Sequence, residues 1–224
     1  MKHGRLFFEA YLGGREETTI VDVGAQDVNG SLRSVAPPHA TYIGVDFTPG
    51  PGVDVVLDDP YRLPFENESV DVVVTSSCFE HAEFFWLSYL EILRILKPGG
   101  LFYLNAPSNG EFHRFPVDCW RFYPDSGIAL QNWGRRNGVS VTLLESFVGN
   151  GQGGGWNDCV AVFVKGDGSA VTQTGGIQAL TSEYTNGYRH GADGLSKLQV
   201  IPEDQNGLCD RIRRYVFGRL GWTE

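Results

Sequence analysis

The strongest constraint on the fold is a series of short apolar runs separated by helical stretches. Each run is rich in valine, isoleucine or leucine, which is typical of a strand buried on both faces of a sheet. Parallel strands need long crossover connections, and helices between the runs supply them. The runs are Thr18–Val23, Thr41–Val45, Val53–Leu57, Val70–Thr75 and Leu101–Leu104.

The helical stretches and the last apolar runs complete the predicted architecture. Glu83–Leu96 has an apolar face at helical spacing, and Pro98 with two glycines ends it. A second helix is predicted near Pro124–Asn137, and Val139–Val148 with Val160–Val164 form a closing strand pair. We therefore predict an α/β fold: a Rossmann-like, doubly wound, mostly parallel seven-stranded sheet with an antiparallel closing strand.

A change in composition after Lys165 suggests the domain organisation. Residues 1–165 are predicted to form one ligand-binding domain, which is an ordinary size for a single core. Residues 166–224 are richer in Gly, Ser, Thr and Gln and are predicted to form an irregular C-terminal extension. Leu208–Leu220 could be a helix docked onto the domain.

The net charge of −9 argues against nucleic acid and anionic membranes as partners. No apolar run approaches the roughly 20 residues that cross a bilayer, and the first residues do not resemble a secretory signal. Four widely separated cysteines are expected to be reduced thiols, so we expect a cytoplasmic protein. The sequence leaves the oligomeric state open.

Carboxylates follow the ends of the predicted strands, where ligands bind in open α/β sheets. Asp22 and Asp27 would repel a pyrophosphate beside the first strand, whereas a cationic sulfonium bearing an ammonium group would be attracted. The charge of the site therefore favours a sulfonium ligand over a dinucleotide. The carboxylates at these ends are Asp22, Asp27, Asp46, Asp58 and Asp59.

The stretch Val21-Asp22-Val23-Gly24-Ala25 resembles the first motif of class I S-adenosylmethionine-dependent methyltransferases. The resemblance covers roughly residues 18–165 and implies that Asp22, Gly24 and Ala25 contact the cofactor. It also implies that Asp46, after the second strand, binds both ribose hydroxyls, as a two-oxygen carboxylate can. Gln26 departs from the family pattern, which has a second glycine there.

The same resemblance extends over the next strands. Asp58 or Asp59 occupies the acidic position that in this family contacts the adenine amino group. Ser76, at the end of the fourth strand, is a further cofactor candidate. Glu80-His81 after that strand is similar to the motif of the small stand-alone bacterial branch, and so is the Lys97–Gly100 turn.

The segment 111–122 is the most unusual in the chain and follows the fifth strand, where acceptors approach in this fold. It mixes aromatic rings with titratable groups, a combination that suits a sugar. The segment resembles those of methyltransferases from glycan pathways. We predict His113 as general base, Asp118 as the residue that orients it or the acceptor, and His81 as the second choice for base. A lid packed by its own aromatic rings is an equal alternative.

We expect a methyltransferase acting on a small molecule or saccharide, and two other functions stay open. An NAD(P)-dependent reductase is one, since Asp46 also fits a dinucleotide site, but no Tyr is followed four residues later by Lys. A non-catalytic cofactor-binding module is the other. Cys78, His81, His113 and Cys119 are zinc-type ligands, but they lie in different loops, so no metal site is predicted.

Overall fold

The computed structural model describes residues 1–15, 17–150, 156–169 and 175–199. Its single eight-stranded sheet has the order β3-β2-β1-β4-β5-β7-β6-β8. The strands are β1 (Thr19–Val23), β2 (Thr41–Asp46), β3 (Val55–Val56), β4 (Val70–Ser76), β5 (Leu96–Pro107), β6 (Val141–Gly149), β7 (Asp158–Lys165) and β8 (Tyr184–Arg189). Strands β1 to β5 pair in parallel, and β6, β7 and β8 join antiparallel. The predicted α/β fold is therefore confirmed.

Four helices accompany the sheet within the described ranges, together with two short 3-10 turns. The helices are α1 (Lys2–Leu12), α2 (Phe85–Ile95), α3 (Pro124–Arg136) and α4 (Ile177–Leu180). The 3-10 turns are Leu32–Val35 and Phe79–His81. None of these helices is long and apolar enough to cross a bilayer.

Two apolar clusters cover the two faces of the sheet. The side chains of α1, including Phe7 and Phe8, pack with Tyr103 on one face. Tyr89 and Leu93 of α2 lie in the cluster on the other face. Because both faces are covered, the central strands are mostly apolar, as the valine-rich sequence of β4 predicts.

The segment after residue 165 contributes to the sheet. Strand β8 pairs with β6, so the sheet has eight strands and not the predicted seven. Glu145 of β6 accepts hydrogen bonds from the backbone of Ile177 and Gln178 and from Tyr11 of α1. These contacts attach the segment to the main sheet. The amino-acid composition of the segment does not predict them. The predicted helix Leu208–Leu220 lies outside the described residues.

Candidate functional site

A cavity of about 1050 Å³ opens at the carboxyl ends of β1, β2, β4 and β5. Strand order reverses between β1 and β4, and this reversal is where open α/β sheets leave a ligand crevice. We call the part around Asp22, Gly24 and Asp46 the glycine end, and the part around Glu80, His81 and His113 the histidine end. All six residues line the cavity, and so do Ala25 and Ser76.

The turn after β1 requires glycine at position 24. Gly24 has φ +80°, and a Cβ atom there would lie 2.5 Å from the Cβ of Cys78. The backbone N–H groups of Gly24 and Ala25 both donate to the carbonyl of Val45, at 2.9 and 3.1 Å. The turn is therefore held close against β2 and β4, and its backbone faces the cavity.

Two carboxylates at the glycine end are buried and hydrogen-bonded. Asp46 accepts from the backbone N–H of Thr48 at 2.9 Å and from that of Gln26 at 3.4 Å. Asp22 accepts from the hydroxyl of Tyr42 at 2.6 Å, and burial raises the pKa of Asp22 to about 6. These bonds fix both carboxylates in place.

Gln26, which stands where the family pattern has glycine, turns its side chain away from this turn. A Cβ atom on Gly50 would lie 2.6 Å from the Nε2 of Gln26, so the amide lies over the loop after β2. The backbone N–H of Gln26 is the group that reaches Asp46. The bulk of this residue is therefore accommodated beside the glycine end.

The structure does not bring Asp58 and Asp59 to the cavity. Both are exposed, and Asp59 accepts a hydrogen bond from the backbone of Tyr61, which stabilises a turn. Strand β3 ends at Val56, and Leu57 then donates its N–H to the carbonyl of Asp46. As a result, the part of the cavity next to β3 is lined by Leu57, Pro60 and Tyr61 and not by the carboxylates of Asp58 and Asp59.

Glu80 is the feature of the histidine end that sequence reasoning did not select. It lies in the 3-10 turn after β4, is only 1% exposed and lines the cavity. Neither side-chain oxygen has a hydrogen-bond partner among the residues described. Burial raises the pKa of Glu80 to about 8. The Glu80-His81 motif was the available signal, but sequence alone gives no measure of burial.

The two predicted histidines meet beside Glu80. Their ring centroids lie 4.9 Å apart in an edge-to-face arrangement. Nδ1 of His81 lies 2.6 Å from the carbonyl of Val117 and donates to it, while Nε2 lies 3.7 Å from the Oε1 of Glu80. Burial lowers the pKa of His81. Nδ1 of His113 lies 3.1 Å from the carbonyl of Glu111.

Asp118 lies behind His113 and does not line the cavity. Its side chain is 1% exposed and accepts two hydrogen bonds from Arg121, at 2.6 and 2.9 Å. It also accepts one from the backbone N–H of His113 at 2.8 Å. The Arg121 guanidinium holds the pKa of Asp118 far below its usual range. Asp118 therefore fixes the backbone that carries His113.

The predicted absence of a metal site was argued from candidate ligands that lie in different loops. Glu80 and His81 lie in one 3-10 turn and His113 lies in another segment, yet each offers a ligand atom within 4.8 Å of the others. Cys78 instead packs against Gly24, and Cys119 is exposed. The fold brings the loops together because the Glu80 carbonyl accepts a hydrogen bond from the backbone of Cys119 at 2.7 Å.

Comparison with known proteins gives a family match over the strands that form the glycine end and the Glu80-His81 turn of the histidine end. The family described as "Methyltransferase domain" matches residues 19–104. The chain is 34% identical over 128 residues to the phthiotriol/phenolphthiotriol dimycocerosates methyltransferase of Mycobacterium leprae, covering 50% of this chain and 44% of that protein. It is 31% identical over 125 residues to the ubiquinone/menaquinone biosynthesis C-methyltransferase of Bartonella henselae, covering 54% and 46%. The chain thus spans less than half the length of these curated relatives.

A solved structure with a similar fold is the 1,6-didemethyltoxoflavin-N1-methyltransferase of Burkholderia thailandensis, crystallised with 1,6-didemethyltoxoflavin and S-adenosylhomocysteine. The TM-score is 0.57 at 16% identity, over 73% of this chain and 77% of that one. At this identity the likeness concerns the fold.

Proposed function

We propose that this chain, whose residues 19–104 match the family described as "Methyltransferase domain", is a class I S-adenosylmethionine-dependent methyltransferase that transfers the methyl group of S-adenosylmethionine to a small polar acceptor. The observation that carries the proposal is the glycine end. There, two buried carboxylates flank a glycine turn at the switch point of the sheet. This arrangement suits a cationic, ribose-bearing donor and repels a pyrophosphate.

The glycine end is proposed to bind the donor. Asp46 has two carboxylate oxygens at the mouth of the cavity and would accept hydrogen bonds from both ribose hydroxyls. The methionine part would pass beside the backbone of Gly24 and Ala25, where the absence of a side chain permits close approach. Asp22 would attract the positive charge of the donor, and Ser76 would line its path.

The histidine end is proposed to receive the acceptor. Methyl transfer is an in-line displacement: the acceptor oxygen bonds to the methyl carbon, the carbon–sulfur bond breaks, and S-adenosylhomocysteine leaves. The protein must align the two molecules and exclude water. His113 would take the hydroxyl proton, with Asp118 as its positioning residue and His81 as the second candidate for base.

We propose a hydroxyl of a sugar or glycan precursor as the acceptor. Phe112 and Phe115 are 75% and 55% exposed, and Phe115 lines the cavity together with Arg114 and Trp156. Aromatic faces beside charged hydrogen-bonding groups suit a sugar ring. The two curated relatives are named for phthiotriol dimycocerosates and for ubiquinone or menaquinone, so acceptor profiling should include lipid and quinone acceptors beside sugars.

The proposed compartment is the cytoplasm. Cys78 and Cys119 are free thiols in the structure, which fits a reducing environment.

Calorimetric titration tests the donor assignment. We expect one S-adenosylmethionine bound per chain and no binding of NAD. Asp46→Asn should weaken donor binding about tenfold or more, because charged hydrogen bonds are lost. Asp58→Asn is the matched control: Asp58 is exposed outside the cavity, so affinity should not change. An absence of donor binding, or an Asp46→Asn protein that binds it as tightly as wild type, would exclude the assignment.

A further inference from the structure

We propose that Glu80, His81 and His113 bind one divalent first-row transition-metal cation at the histidine end of the cavity. Their three ligand atoms lie within 4.8 Å of one another. Ligand atoms that share one ion at distances of about 2.0–2.2 Å lie at most about 4.4 Å apart. A side-chain shift of a few tenths of an ångström would therefore be enough for one ion to contact all three. Glu80 and His81 are neighbours in the chain, but His113 belongs to a separate segment. Closeness in sequence therefore does not explain why all three side chains meet.

Glu80 gives the first independent support. Glu80 is 1% exposed, and among the residues described no other residue donates a hydrogen bond to either carboxyl oxygen. Burying such a group without a partner is costly. Arg121 is the nearby cation, but its guanidinium is already bonded twice to Asp118. A metal ion would give the Glu80 oxygens the partner that they lack.

The histidines give the second support, because their Nδ1 atoms are already engaged. Nδ1 of His81 donates to the carbonyl of Val117 at 2.6 Å, and Nδ1 of His113 lies 3.1 Å from the carbonyl of Glu111. Metal-binding histidines commonly donate their other ring N–H to a backbone carbonyl or a carboxylate, which orients the ring. Both Nε2 atoms are left for a ligand.

The ligand types select the class of metal. Two imidazoles and one carboxylate suit Zn²⁺, Mn²⁺, Fe²⁺ or Co²⁺, whereas Mg²⁺ and Ca²⁺ prefer sites made of oxygen atoms. Three protein ligands leave coordination positions open towards the cavity, as in catalytic metal sites. An oxygen of the acceptor would occupy one of them.

The role of the cation in binding the acceptor rests on the proposed function, which supplies that acceptor. It also changes the role assigned to His113. The cation would lower the pKa of the bound hydroxyl. Its proton would then pass to solvent, which reaches the part-exposed His113, as the oxygen bonds to the methyl carbon and the carbon–sulfur bond breaks. With the cation bound, His113 is a metal ligand. The acceptor is then deprotonated because the cation lowers the pKa of its hydroxyl, and no protein base is needed.

The test is titration of chelator-treated protein with Co²⁺, followed by visible absorption. We expect one Co²⁺ per chain, and a loss of affinity of at least about tenfold in each of E80Q, H81A and H113A. E80Q preserves the volume of the side chain, and His113 is part-exposed, so these variants should fold; thermal unfolding verifies it. His39→Ala is the control, because His39 is exposed and lies just before the amino end of β2, whereas the cavity lies at the carboxyl ends of the strands. A wild-type chain that binds no Co²⁺, or the three variants binding it as tightly as wild type, would overturn the proposal.

Two further measurements separate this proposal from the proposed function. Calorimetry with S-adenosylhomocysteine on the chelated protein reports donor binding without metal, so its failure would contradict the proposed function and leave the metal result standing. Turnover of an identified acceptor with and without chelator distinguishes the two roles of His113. Loss of activity on chelation, restored by Co²⁺, supports the metal; full activity in chelator would show that His113 acts as base without it.

Discussion

At the glycine end of the cavity, Asp22 and Asp46 accept hydrogen bonds from Tyr42 and from backbone N–H groups, whereas Glu80 at the histidine end has no such partner among the residues described. The first arrangement is rigid before any ligand arrives, which suits a donor of constant shape. The second arrangement leaves the buried carboxyl group of Glu80 to form its hydrogen bonds or metal contacts with a bound ligand. Under the proposed function, one cavity would combine a preformed donor site with an acceptor site that its ligands complete.

The largest expected effect concerns the histidine end alone. His113→Ala should lower turnover by about 100-fold or more, because it removes either the base that takes the acceptor proton or a ligand of the cation that lowers the pKa of the acceptor hydroxyl. The affinity for S-adenosylmethionine should not change, since His113 lies away from Asp46 and Gly24. Single-turnover kinetics with donor calorimetry measure both. A parallel fall in donor affinity would show that the two ends are not independent.

The next effect concerns the glycine end. Gly24→Ala should destabilise the fold and weaken donor binding, because both its φ of +80° and the nearby Cys78 oppose a side chain. Gly99→Ala is the control: its φ is +77°, but no atom lies within 4 Å of an added Cβ. Backbone strain alone costs about 1–2 kcal/mol. Denaturant unfolding should show a larger loss for Gly24→Ala, and equal losses would contradict the close contact with Cys78.

A smaller effect is expected at Asp118, which positions His113. Asp118→Asn removes the ion pair with Arg121. It also weakens the hydrogen bond that the Asp118 side chain accepts from the backbone N–H of His113. We expect turnover to fall about tenfold, with a higher KM for the acceptor and unchanged donor affinity. Steady-state kinetics with each substrate varied in turn separates these. A variant that loses only thermal stability would show a purely structural role.

The smallest effect is a pH dependence of donor binding. Because burial raises the pKa of Asp22 to about 6, this carboxyl is charged at pH 7 and becomes neutral as pH falls below 6. Donor affinity should therefore decrease several-fold between about pH 7 and pH 5. The contribution of Asp22 to folding has the opposite sign: it is complete below its ordinary pKa and is lost as pH rises through 6. Asp22→Asn should flatten both profiles in calorimetry and in urea unfolding.

The glycine end could be predicted from sequence because strand ends follow directly from the apolar pattern. Once β1 and β2 are placed, Gly24 and Asp46 must meet at the same edge of the sheet. Asp58 and Asp59 do not line the cavity, because β3 has only two residues and ends before it carries a carboxylate to the edge. Their contact with the cofactor stays a prediction. Pattern reasoning assumed strands of ordinary length there.

The histidine end was predictable only in part. His81 and His113 were selected for their chemistry, but nothing in the sequence shows that residues 108–123 fold back onto the turn after β4. That return depends on backbone bonds such as Cys119 to Glu80 and on the bond from the Trp120 indole to the carbonyl of Ala82. Burial of Glu80 follows from the same contacts. Irregular loops carry no periodic signal from which such packing could be inferred.

The short segment between β4 and α2 joins the two ends through the covalent chain. Cys78 packs against Gly24, and two residues later Glu80 faces the acceptor side. Two residues span at most about 7 Å. Under the proposed function, this covalent link limits how far apart the donor and acceptor regions of the cavity can lie. Substitutions within residues 108–123 are then expected to alter acceptor choice more than the position of the donor.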